Sequence, residues 1–119
     1  MTIQQIAERM AELCKKGDFE TAQNELFSND AVSIEPAASP MFEKEIKGLD
    51  AIKEKGKKFM SMVEEIHSIS VDGPIVAHNS FTIVLKMDVT MKGMGKRDMA
   101  ELCVYDVKDG KIVAESFHM

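Results

Sequence analysis

The spacing of apolar residues changes period along the chain. Ile3, Ile6, Ala7, Met10, Leu13 and Cys14 recur three or four residues apart, which places them on one helical face with Glu8, Arg9, Glu12 and Lys15 elsewhere. Gly17 is positioned to stop this helix, because glycine enters the left-handed region without strain. Asp18 is positioned to cap a second helix with its carboxylate. Phe19, Ala22, Leu26 and Phe27 stripe that helix, so a helical hairpin is predicted. Asn29-Asp30 then reads as a turn, residues 31–35 as a short strand stopped by Pro36, and residues 36–47, which lack a clean period, as a loop. A third helix is predicted from about residue 49 to residue 65, with Ile52, Gly56, Phe59, Met60 and Val63 on one face. Glycine inside a helix costs roughly 1 kcal/mol relative to alanine, so Gly56 is expected to admit a closely packed backbone.

From there the period is two. Residues 67–71 read as a strand and Asp72-Gly73-Pro74 as a turn. Phe81, Ile83, Leu85, Met87, Val89 and Met91 alternate with Ser80, Thr82, Lys86, Asp88 and Thr90, a long strand with one apolar face. Gly93-Met94-Gly95 turns the chain into a strand over residues 97–107, and Asp109-Gly110 turns it again into a last strand over residues 111–119. Helices followed by hairpins imply an α+β domain over residues 1–119, with the helices on one face of a mostly antiparallel sheet. Parity leaves two choices open. If Met99, Cys103 and Tyr105 face the helices, so does Glu101. In the last strand Val113, Glu115, Phe117 and Met119 form one set, and Ile112, Ala114, Ser116 and His118 the other.

Composition narrows the function classes. The 119 residues carry 15 basic and 20 acidic side chains, a net charge of −5, which argues against a nucleic-acid or anionic-membrane binder. No apolar run approaches the roughly 18–20 residues of a membrane span, and the N-terminus lacks the pattern of a secretory signal. Two cysteines, Cys14 and Cys103, without a CxxC, point away from a disulfide scaffold or zinc site and towards a reducing cytoplasm. His67, His78 and His118 lack metal-ligand spacing, so neither metal nor cofactor is expected. Residues 53–58, four lysines with Glu54 and Gly56, read as a solvated helix face.

Three stretches, with Lys16-Gly17-Asp18-Phe19 ahead of them, carry a family resemblance. They are Leu26-Phe27-Ser28-Asn29-Asp30-Ala31-Val32-Ser33-Ile34-Glu35-Pro36, Lys47-Gly48-Leu49-Asp50-Ala51-Ile52 and Asp109-Gly110-Lys111-Ile112-Val113. In order and spacing they resemble the nuclear transport factor 2-like superfamily, which includes ketosteroid isomerase and the SnoaL-like cyclases. The resemblance implies a cone-shaped roll in which a strongly curved sheet wraps three helices around a pocket. It implies that Glu35 stands where the isomerase carries its general-base aspartate, before a proline, and that Glu101, Cys103, Glu115, Phe117 and Met119 face the pocket. Where the isomerase has its oxyanion-binding tyrosine this chain has Met10, and where it has a protonated aspartic acid, Cys103, a poor donor. Steroid isomerisation by that arrangement is therefore not expected.

The catalytic candidates are Glu35 as base or acid, with Glu101 and Glu115 orienting a ligand or donating a proton. Burial and mutual repulsion raise carboxyl pKa values, which suits proton transfer near neutral pH. Pairing of Glu101 and Glu115 with each other, with Arg97 or with Lys86 is the alternative. Ligand contacts fall to Met10, Phe59, Cys103, Phe117 and Met119, and three carboxylates favour a neutral or weakly basic apolar ligand over an anion. Residues 36–47, with Met41 and Phe42, are placed to act as a lid. Val84, Ala100, Leu102, Val104 and Ala114 would form an outer apolar face suited to a homodimer. A binding module without chemistry, its cavity filled by its own methionines, is the competing expectation.

Overall fold

A capping box opens the first helix. The Gln5 N–H donates to the Thr2 hydroxyl at 3.2 Å, and the Gln5 side-chain oxygen accepts from the Thr2 N–H at 2.9 Å. The chain is seen in a computed structural model that describes residues 1–40 and 42–119, so Met41 of the expected lid lies outside the described residues. Helix α1 spans Ile3–Lys15 and buries Ile6, Ala7, Met10, Leu13 and Cys14. It ends where predicted. Gly17 has φ +73°, its N–H bonds the Cys14 carbonyl, and the Asp18 N–H bonds the Leu13 carbonyl. These two bonds satisfy carbonyls that the helix end would leave unpaired. Helix α2 spans Phe19–Leu26, but the Asp18 side chain does not cap it; the Asp18 backbone carbonyl accepts from Ala22 at 3.1 Å.

The sheet contains β1 (Phe27–Ile34), β2 (Glu45–Lys47), β3 (Val63–Val76), β4 (Ser80–Met91), β5 (Gly95–Lys108) and β6 (Lys111–His118), with α3 (Leu49–Ser61) between β2 and β3. Its order is β2-β1-β6-β5-β4-β3, unclosed, and among the described residues only the β1–β6 pairing is parallel. All three helices pack on one face, an α+β architecture as the pattern predicts. The inward row of β4, from Phe81 to Met91, is buried beneath them. Tyr105 completes the floor, stacked on Phe81 at 4.9 Å between ring centroids and edge-on to Phe27 at 6.4 Å.

Several boundaries differ from the sequence reading, and long-range pairing explains most of them. Helix α3 stops at Ser61, not residue 65, because Val63 and Ile66 pair with Met91 and Val89 of β4. Strand β3 runs through the expected turn at Asp72-Gly73-Pro74. The ladder shifts there, and Gly73, at φ +101°, forms a bulge while the strand continues. Asn29-Asp30 likewise lies within β1, where its pairing with β6 shifts. The stretch read as loop yields a short strand, β2, against β1. Gly56 does not receive a backbone; a Cβ there would meet only the Gln23 side chain, at 3.8 Å.

Candidate functional site

The inward faces of β4, β5 and β6 do not meet the helices everywhere. Between them lies a cavity of about 620 Å³. Met10 and Cys14 of α1 line it, with Ile52, Lys55 and Phe59 of α3. Leu85 and Met87 enter from β4, Met99, Glu101, Cys103 and Tyr105 from β5, and Glu115, Phe117 and Met119 from the last strand and its end. Glu35, Pro36 and Phe42 form part of the rim. All eight candidate residues from the sequence therefore border one space. Met119 does so from the open end, 84% exposed.

Glu115 reaches this face through a departure from simple alternation. Ile112 pairs with Val107 and Ala114 with Asp106, leaving Val113 as an extra residue. The bulge turns both Ile112 and Glu115 inward, although strict parity assigns them to opposite faces. Glu101 needs no such device, since it alternates regularly with Met99 and Cys103 opposite β4.

The polar groups are joined in a chain. The Lys55 ammonium donates to Glu35 Oε1 at 2.8 Å and to the Ser33 hydroxyl at 2.5 Å, and Ser33 Oγ donates to Glu115 Oε2 at 2.8 Å. The Lys55 and Glu35 side chains are only 10% and 19% exposed, Ser33 is fully buried, and the ammonium lies 5.0 Å from the Phe117 ring centroid. This corrects two expectations. Lys55 does not belong to a solvated face, and Lys86 bonds Asp72 at 3.3 Å and no pocket carboxylate. Sequence reasoning missed both Lys55 and Ser33. The one signal for Ser33 was positional, since a residue two before Glu35 along the strand direction shares its face.

Burial pushes the Glu115 carboxyl up from 4.5 to about 7; Lys55 and the Ser33 hydrogen bond pull against that rise, and Glu35 and Glu101 add to it. Glu101 is raised chiefly by burial and then by Glu35, with Lys55 opposing. Burial also pushes the Cys14 thiol up to about 12 and Cys103 and Tyr105 upward, so these three stay protonated and neutral at neutral pH. Among the described residues no three His, Cys, Asp or Glu side chains gather to hold a metal ion, and no helix is long and apolar enough to cross a membrane. The arrangement offers a carboxylate anchored by an ammonium, a second carboxyl that exchanges its proton near pH 7, and apolar walls around both.

Comparison with known proteins agrees with this fold. The model of the SnoaL-like domain matches residues 1–119. A protein of Mesorhizobium loti, whose description names both a SnoaL-like polyketide cyclase and a carbohydrate phosphatase, is 36% identical, with 100% of both chains covered and a TM-score of 0.91. A Xanthomonas campestris protein of cystatin-like fold is 18% identical over 98% of this chain and 89% of its own, at 0.80. TerC, co-crystallised with polyporic acid, is 13% identical over 98% and 89%, at 0.76. These last two share the fold alone. No curated protein matches the chain.

Proposed function

We propose that this chain, which belongs to the SnoaL-like domain family, binds an apolar cyclic or polyketide-like molecule in its cavity and moves a proton on it without a cofactor. The observation that carries this reading is the convergence of Glu35, Glu101 and Glu115 on one mostly apolar cavity that Lys55 also lines, with Glu115 poised at about 7. The Mesorhizobium loti protein supports it as a 36% identical relative described as a polyketide cyclase.

In this mechanism Glu35 is the base. Lys55 ties up Oε1 and so orients the carboxylate, leaving Oε2 to take a proton from the carbon next to a ligand carbonyl. The C–H bonding pair moves into the enolate, whose oxygen accepts a hydrogen bond or the proton of Glu115. Return of a proton to a different carbon isomerises the ligand; attack of the enolate carbon on a second carbonyl closes a ring. Apolar walls strengthen each of these interactions by excluding water.

The test is α-proton exchange in D2O, followed by NMR, with cyclic ketones, phenols and short acyl compounds first screened by thermal shift. At 100 times its dissociation constant a ligand stabilises the native state by about 2.7 kcal/mol. Wild type should accelerate exchange on the ketones that bind, and Glu35→Gln should lose about 100-fold or more of that rate. Equal rates in the two proteins would remove Glu35 from the mechanism. Binding with no exchange at all would leave a ligand-binding module in its place.

Assembly is part of the same reading. Leu102, 39% exposed, lies across from Val84 and His118 on the outer sheet face, beside Ala100, Val104 and Ala114. A second copy covering this face would make a homodimer and leave the cavity mouth open.

A further inference from the structure

Glu101, unlike Glu35 and Glu115, is a pocket carboxylate without a partner among the described residues. It stands midway along β5 facing Leu85 across the ladder, half-buried, and lines the cavity. Glu115 has Ser33, and Glu35 has Lys55. Among the described residues the Glu101 side chain makes no hydrogen bond and no ion pair. The nearest cation is already committed, because Lys55 donates to both Glu35 and Ser33 and lies against the Phe117 ring. Glu35, Glu101 and Glu115 thus surround one ammonium beside side chains such as Leu85, Met87, Met99 and Phe117; Glu20, Lys53 and Lys57 line the same cavity, but the charges that act on Glu101 are those of Glu35 and Lys55. A carboxylate on an apolar wall is costly until something pairs with it.

We propose that Glu101 is the residue that selects the ligand, and that the ligand carries a protonated nitrogen on an apolar ring or chain, with the nitrogen against Glu101 and the hydrocarbon along the methionines and Phe117. An ammonium supplies the missing counter-charge and a hydrogen bond to it. Thioethers and an aromatic face accept the N-alkyl carbons. An anion placed against Glu101 would meet its charge and that of Glu35, with the neighbouring ammonium, Lys55, already bonded to Glu35 and Ser33. This inference rests on the proposed reading for the cavity as a binding site, and it does not require Glu35 to act as a base.

Three probes of similar shape separate the cases by calorimetry at neutral pH: benzyldimethylamine, which is cationic, its uncharged carbon isostere isobutylbenzene, and the anion phenylacetate. Wild type should bind the amine about 10- to 100-fold more tightly than either of the others, the span expected for a hydrogen bond between charged groups. Glu101→Gln should abolish most of that preference while leaving isobutylbenzene affinity unchanged, and Glu101→Asp, which keeps the charge, should retain it. The proposal is overturned if the isostere or phenylacetate binds as well as the amine, or if Glu101→Gln keeps the amine preference. Failure of all three to bind would overturn both this inference and the pocket reading. An amine preference in a protein that exchanges no α-protons would leave this inference standing and remove the catalytic one.

Discussion

Glu115→Gln should flatten the dependence of stability on pH. Glu115 is 4% exposed, and its carboxyl lies at about 7 against an ordinary value of 4.5. Between those values the native state holds a proton that the unfolded chain has already released. Stability from this group is therefore full at low pH and is lost as pH rises through about 7. The rise from 4.5 to about 7 corresponds to about 3 kcal/mol in total. At pH 5 the unfolded carboxyl is already about three-quarters ionised, and at pH 8 the native one is nearly all ionised, so roughly 2 to 3 kcal/mol disappears between those two conditions. Glutamine has no proton to lose, and its amide oxygen still accepts from Ser33. Glu101 is raised in the same sense, but it is present in both proteins and largely cancels in their difference. Urea unfolding of both proteins from pH 5 to pH 8 gives that difference directly. Wild type should lose roughly 2 to 3 kcal/mol relative to Glu115→Gln over the range. Parallel curves, agreeing within about 0.5 kcal/mol, would refute the placement of Glu115 as a buried, proton-holding carboxyl.

Ser33→Ala removes the donor to Glu115 and one acceptor of Lys55, and should cost about 1–3 kcal/mol of stability by urea unfolding. In the same variant Glu115 should titrate higher still, because the Ser33 hydrogen bond is among the interactions that hold it down; a midpoint that stays or falls in carboxyl-carbon NMR would contradict the chain of contacts. Leu102→Asp places a charge at the centre of the outer face. Light scattering should report a dimer for wild type and a monomer for the variant, and a wild-type monomer would remove the proposed interface.

The helical face of residues 3–14, the stop at Gly17 and the alternation of β4 were all legible in the sequence, because each depends on neighbours within a few residues. The family resemblance extended that reading to the placement of Glu35, Glu101 and Glu115 around a single space, and the cavity has all three on its border. Local pattern misjudged elements whose form is set from afar. Strand β3 passes through Asp72-Gly73-Pro74 because β4 pairs along both sides of the bulge. Residues 63–65 leave the helix because the same partner claims them.

The site divides in the same way. The sequence by itself determined which residue types were available: three carboxylates on strands or strand ends, an apolar surrounding set, and a lysine-rich helix. Only the tertiary structure decided their partners. One lysine of residues 53–58 turns inward to bind Glu35 and Ser33, and a single extra residue at Val113 turns Glu115 onto that serine. Periodicity records which face a side chain occupies within its own element. Hydrogen bonds between residues 20 to 82 positions apart depend on how the elements are laid against one another, and that information is distributed over the whole core.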